Sequence, residues 1–188
     1  KEIMARTGID PERVDEVMAE LAADVVARGH RPYVIPESGA NEVGALGYLE
    51  CAVELADQIN HGAPRFDSVV ISVYSGGSQG GMLMGKQLAG LPGEIVGIPI
   101  AWPAAKVRDH IGRTMVAAIQ RFGFAIEVPK SFHLIDGYQG VGRASVGDAE
   151  LATIVRLARE EGLVLDPVYT AKAFTGLITT LEKDPKAL

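Results

Sequence analysis

The amino-acid sequence predicts an α/β fold, a mainly parallel sheet with helices on both faces. Three observations carry that prediction. Compact β-branched runs at 69–73 and 95–100 are nearly continuous in apolar character, as strands buried on both faces are. Longer segments place apolar residues at helical spacing, as with Val107, Ile111, Met115 and Ile119. The two kinds of segment alternate, which is the order of parallel strands joined through crossover helices.

The elements follow in order. Asp10 and Pro11 supply a side-chain cap and a first-turn proline for a helix. Val14, Val17, Leu21 and Val25 form its stripe, and Gly29 ends it. Residues 33–35 read as a short strand, 38–41 as a turn and 44–60 as a second helix. The 69–73 strand runs into Ser75-Gly76-Gly77-Ser78-Gln79-Gly80-Gly81 and then an apolar helix through Leu88. After the 95–100 strand comes a long helix over 103–122. A third strand is expected at 132–135, followed by a glycine-rich loop at 137–147. A helix over 148–161 stops at Gly162, and residues 163–165 read as a strand before the Asp166-Pro167 turn. A last helix begins near Thr170.

With 188 residues, 47% of them apolar and 22% charged, the chain can bury a core of its own. A net charge of −6 without a basic block argues against nucleic acid or an anionic membrane as partner. A small anion is still compatible, because backbone amides bind phosphate without net positive charge. Cys51 is the single cysteine, which excludes an internal disulfide framework and fits a reducing cytoplasm. The most apolar stretch, 95–105, is broken by Pro99 and Pro103 and is too short to span a bilayer. No metal site is expected. The opening on Lys1 points to a fragment or a processed chain.

The glycine-rich stretch holds the chemistry. A strand, a glycine turn and a helix start together present unpaired amides to an anion, and Ser75 and Ser78 add hydroxyls. Four named motifs compete for it. A dinucleotide fingerprint finds no frame with glycines at the required spacing. A Walker loop nearly fits from Gly80 to Gly85 and Lys86, but Gln87 stands where a magnesium-holding hydroxyl belongs. Gly76-Gly77-Ser78-Gln79-Gly80 matches a serine-hydrolase elbow, with Asp109 and His133 as available partners. The fourth reading is a cofactor phosphate cup in which Ser78 donates a hydrogen bond and attacks nothing. A glycine turn without any ligand is the plain structural alternative.

Several further stretches carry a resemblance. They are Arg31-Pro32-Tyr33-Val34-Ile35-Pro36, Gly39-Ala40-Asn41, Gly44-Ala45-Leu46-Gly47-Tyr48, His133-Leu134-Ile135-Asp136-Gly137-Tyr138, and the run from Glu161 to Thr170 containing Asp166-Pro167-Val168-Tyr169-Thr170. With the glycine loop, and in this order, they resemble the D-cysteine desulfhydrase and aminocyclopropane-carboxylate deaminase family of pyridoxal 5'-phosphate enzymes. The likeness runs from about Arg31 to the end of the chain. It implies the large cofactor domain of a fold type II, tryptophan synthase β-like enzyme, with 1–36 ending the small domain and 37–188 forming the carboxy-terminal part of the large one.

The resemblance also implies roles. The amides and hydroxyls of Ser75, Gly76, Gly77, Ser78, Gln79 and Gly80 would hold the cofactor phosphate. Thr170 would face the pyridine nitrogen, and a hydroxyl there would leave the ring a milder electron sink than a carboxylate would. Tyr169 would line the substrate side and move a proton or orient the substrate. Asn41 would shape the cofactor pocket, unless it only makes its turn. Tyr48 and Lys172 read as helix packing and a solvated helix charge. Arg143 stands where the family often has a second tyrosine, so a substrate with an extra anionic group is expected there, if the side chain does not simply face solvent. No lysine of this chain matches the family's Schiff-base lysine, which would come from a missing amino-terminal segment or a second chain.

The implied function is β-elimination on a small amino acid, with D-cysteine giving keto acid, ammonia and sulfide. Cysteate sulfo-lyase and aminocyclopropane-carboxylate deaminase activities are the alternatives within the family, and a serine hydrolase at Ser78 is the alternative outside it. A cytoplasmic homodimer is the implied setting.

Overall fold

The structure, a computed structural model, describes residues 13–142 and 145–188. The chain divides into two compact units, residues 1–39 and 40–188. In the first, α1 (Val14–Ala27) is followed by a 3-10 turn at Glu37–Gly39. Gly29 takes a left-handed φ of 79° just beyond α1, the conformation that stops a helix at low cost in glycine. The helix start expected at Asp10 and Pro11 lies outside the described residues.

The second unit runs α2 (Leu46–Asn60), β1 (Ser68–Val73), α3 (Gly77–Ala89), β2 (Glu94–Pro99), α4 (Ala104–Phe122), β3 (His133–Leu134), α5 (Asp148–Glu160) and α6 (Thr170–Lys183). The sheet is parallel in the order β1-β2-β3, with Val70 opposite Val96 and Gly97 opposite Leu134. Two expected strands are not strands. Residues 33–35 and 163–165 lie in irregular chain, with Tyr33 78% and Val164 91% exposed. Their apolar composition satisfies strand propensity, but a strand is held by a neighbouring strand's backbone, and among the described residues neither segment has one.

Helices cover both faces of the sheet, and β2 shows how. Successive strand residues point to opposite faces. A side chain at Gly97 would collide with Gln79 of α3, whereas Ile98 meets Gly176 of α6. The core fills the α3 side, where Val107, Ile111 and Met115 of α4 and Met82 and Met84 of α3 are completely or almost completely buried.

Helix α3 is central and lies very close to α2. Side chains at Gly81 and Gly85 would run into the carbonyl oxygens of Ala45 and Leu49, so these two glycines let the backbones approach. They are packing residues. Lys86 donates to the carbonyls of Leu91 at 2.8 Å and Gly93 at 2.6 Å, tying off the turn after α3. That disposes of the Walker reading: its lysine points away from the glycine loop, towards the far end of the helix.

Candidate functional site

Parallel strands gather their carboxyl ends on one edge, where the connections to the following helices open a crevice. Here that edge carries Ser75 and Gly76 after β1, residues 100–104 after β2 and residues 136–142 after β3. Ile100 donates its amide to Val73 at 2.9 Å, which keeps the first two connections side by side.

At the β1 end the backbone turns sharply into α3. Gly76 has a φ of 88°, and a methyl group there would strike the Ile111 side chain, so only glycine suits both the angle and the space. The first helical bond of α3 runs from the Gly80 amide to the Gly76 carbonyl at 2.9 Å. The amides of Gly77, Ser78 and Gln79 therefore precede the ladder, and no side chain caps them. Among the described residues, the Ser75 and Ser78 hydroxyls have no protein partner. Three free amides and two hydroxyls at the positive end of a helix dipole fit a phosphate dianion well.

The Gln79 side chain turns away from the loop. It is fully buried, and its amide nitrogen donates to the carbonyls of His133 at 3.1 Å and Ile95 at 3.4 Å. It joins α3 to β2 and β3, so only its backbone faces the loop. Asn41 shapes its own turn, its Oδ1 accepting from Val43 at 3.1 Å and Gly44 at 2.8 Å. Its neighbour Ala40 lies 3.4 Å from where a methyl at Gly77 would stand, so the Asn41 turn abuts the loop.

The hydrolase elbow keeps its strand–turn–helix shape but has no relay. Asp109 pairs with Arg113 at 2.7 Å on the outer face of α4. The His133 ring contacts Glu94 at 3.3 Å. The two proposed partners are thus engaged elsewhere.

Helix α6 brings the second part of the site to the same edge. Asp166 organises its start: Oδ1 accepts from the amides of Val168 and Tyr169, and Oδ2 from the amide and hydroxyl of Thr170. Partial burial pushes the Asp166 carboxyl up, but the Thr170 hydroxyl and the three amides outweigh it and hold it below its ordinary value. Thr170 gives its hydroxyl proton to Asp166 at 2.6 Å and accepts the Asp166 amide at 2.9 Å, leaving one lone pair for another partner. Tyr169 is 45% exposed, and its hydroxyl has no partner among the described residues.

One turn into α6, Lys172 overturns the solvated-charge expectation. It is completely buried, and its ammonium donates to the carbonyls of Ile100, Gln139 and Gly142. Because Ile100 also bonds to β1 two residues before Ser75, this contact fixes the head of α6 to the edge that carries the glycine loop. Asp136 and Gln139 secure the third connection: Asp136 accepts from Ala104 at 3.1 Å, and Gln139 donates to the Trp102 carbonyl at 3.3 Å. Burial raises the Asp136 carboxyl, yet hydrogen bonds from Gln139 and the Ala104 and Gly137 amides bring it below its usual value. Arg143 lies outside the described residues. Sequence reasoning missed Asp166 and Lys172 as organisers; the Asp-Pro pair signalled the first, and nothing local signalled the second.

Comparison with known proteins identifies the family and the fold. A family model described as pyridoxal-phosphate dependent enzyme matches residues 2–187. The D-cysteine desulfhydrase of Yersinia pestis (strain Pestoides F) is 36% identical over 169 residues, covering 90% of this chain and 51% of the relative. That of Serratia proteamaculans (strain 568) is 37% identical over 172 residues, covering 90% and 50%. The crystal structure of an ACC deaminase homologue matches with a TM-score of 0.83 at 29% identity, over 95% of this chain and 53% of that one. The chain spans about half the length of the relatives it matches.

Proposed function

This chain belongs to the pyridoxal-phosphate dependent enzyme family, and on that premise we propose that it forms the phosphate-holding and substrate-facing part of a β-elimination lyase of the D-cysteine desulfhydrase kind. The observation that carries the reading is the set of free amides at Gly77, Ser78 and Gln79, on the same sheet edge as the α6 head with Tyr169 and Thr170. When bound, the cofactor supplies an electron sink that lets an amino acid lose its α-proton and then its β-substituent, giving a keto acid and ammonia, and sulfide from D-cysteine.

The chain's own residues do the binding and positioning. The three amides and the hydroxyls of Ser75 and Ser78 hold the phosphate, with the α3 dipole favouring its charge. Gly76 keeps the turn tight, the Gly80 amide closes it on the Gly76 carbonyl, and the Asn41 turn walls one side. Thr170 faces the pyridine nitrogen, and turning its hydroxyl proton from Asp166 to the ring lets it donate to that nitrogen. Tyr169 holds or moves a proton at the substrate. The lysine that bonds the cofactor covalently comes from polypeptide outside these 188 residues, either a preceding segment or a second chain. The domain division at 36/37, a homodimeric assembly and a cytoplasmic setting complete the reading; among the described residues no helix is long and apolar enough to cross a membrane.

The test uses the full-length protein loaded with pyridoxal phosphate. Release of sulfide and keto acid from D-cysteine, with the visible absorbance of bound cofactor, is expected. A protein that takes up no cofactor, or whose Ser78 is labelled by a serine-directed phosphonate, ends the proposal. Cysteate compared with D-cysteine, before and after Arg143→Tyr, tests whether Arg143 recognises a second anionic group. An unchanged preference removes it from the substrate site.

A further inference from the structure

Lys172 is the largest fully buried side chain among the described residues. It has no carboxylate within ion-pair distance there, and three neutral carbonyls surround its ammonium instead. Three carbonyl acceptors match the three N–H donors of a lysine ammonium. Burying a charge is costly, and here the three carbonyls offset it by direct hydrogen bonds while the buried Glu150 carboxylate lies near the lysine stem, beyond ion-pair distance. Apolar packing alone would be served by a leucine or methionine, so the charge needs a reason.

The cage spans three segments. Ile100 follows β2, and Gln139 and Gly142 bracket the turn after β3. Gly140 sits inside that turn with a φ of 67°; a methyl group on it would lie 3.1 Å from the Lys172 Cε and 2.9 Å from Glu150 Oε1. Glu150, buried in the first turn of α5, accepts the Gly147 amide at 2.8 Å and so secures the chain beyond the turn. One helical turn past Lys172, Gly176 makes room for the Tyr138 ring, which a methyl there would approach to 3.0 Å. Helix α6 thus grips the 138–142 turn twice, once by charge and once by shape.

We infer that Lys172 is a positioning residue: its caged ammonium acts as a built-in cation that fixes the 139–142 turn to the end of β2 and aligns the α6 head beside the glycine loop. The catalytic half of this inference rests on the reading that this edge is the active edge. The clamp itself does not. Lysine places the charge at a fixed reach from α6, so the turn and Tyr169 move as one body.

The full-length, cofactor-loaded enzyme tests it. Lys172→Met keeps the stem and removes the charge, leaving three carbonyls facing a thioether. Peptides covering 139–142 should exchange amide hydrogen roughly tenfold faster or more. The value of kcat/KM should fall about 100-fold, since a shift near 1 Å at a reacting group has that effect. Affinity for pyridoxal phosphate should change far less, because the Ser75–Gly80 cup is untouched. Lys172→Ala opens the cage, and ammonium or n-propylammonium should restore both exchange protection and turnover, whereas tetramethylammonium at equal ionic strength should not.

Wild-type exchange and kinetics in Lys172→Met would overturn the inference, as would a folded Lys172→Ala variant that ammonium leaves unchanged. If neither variant folds, Gly140→Ala keeps the lysine but sets a methyl against its Cε and against Glu150 Oε1, pushing the turn off the cage. Faster exchange and reduced turnover there support the inference, and wild-type behaviour refutes it. A parent enzyme that binds no cofactor would instead defeat the proposed function, while the exchange data would still decide the clamp.

Discussion

At the head of α3 the donors are backbone amides and glycines set the shape; at the head of α6 polar side chains do both. The α3 turn exists because Gly76 adopts a φ of 88° against Ile111, and its amides remain free because nothing caps them. The α6 turn is the reverse. Asp166 accepts from three amides and the Thr170 hydroxyl, and Lys172 answers three carbonyls. One end leaves its amide donors unmet, as the proposed phosphate cup requires, while the other satisfies its own groups. The difference teaches that a binding end is made by withholding caps and a positioning end by supplying them.

The comparison breaks most sharply at Gly76. Gly76→Val adds left-handed strain and a collision with Ile111, together about 2–5 kcal/mol, readable as a lower urea midpoint. Cofactor uptake should be lost with it. Gly85→Ala tests the helix contact that supports the same turn; forcing α2 from α3 should cost about 1–3 kcal/mol, with weaker effects on cofactor affinity. A stability change without any spacing effect on the loop would separate the two glycine roles.

On the α6 side, Asp166→Ala removes the cap and should destabilise by about 1–2 kcal/mol in chemical denaturation. It should also free the Thr170 proton and disturb turnover more than cofactor affinity. Ser78→Ala tests the withheld donors from the other direction. Losing one hydroxyl should weaken pyridoxal phosphate binding by roughly tenfold while some chemistry survives. Complete inactivation would instead revive Ser78 as a nucleophile.

The smallest expected effect is in acid. Asp136 and Asp166 titrate below their ordinary value of 3.8 in the folded chain. Their contribution to stability is therefore full above that value and fades as pH falls through the lower folded values. Asp166→Asn should flatten the acid limb of a urea-midpoint profile, and an unchanged limb would mean the cap hydrogen bonds do not survive in solution.

Much of the α3 end was legible in the sequence because backbone chemistry is local. A β-branched run followed by Ser75-Gly76-Gly77-Ser78 states both the turn and its free amides within a few residues. The resemblance extended that reading to Tyr169 and Thr170, and the fold match supports the same architecture. The strands expected at 33–35 and 163–165 failed for the opposite reason: pairing partners are not written in the three residues themselves. Gln79 belonged to the loop by position, yet its side chain turned inward, since Gly97 leaves space for it over the sheet.

The sequence by itself determined the alternating elements, the glycine turn and the family likeness, all of which depend on order and spacing along the chain. Only the tertiary structure decided that Lys172 is buried among carbonyls from residues 33, 30 and 72 positions away, that Gly81 and Gly85 serve packing, and that Asp109 and His133 stand apart. A lysine on a helix reads as solvated until its surroundings are known, because burial and hydrogen-bond satisfaction are properties of neighbours brought together by folding.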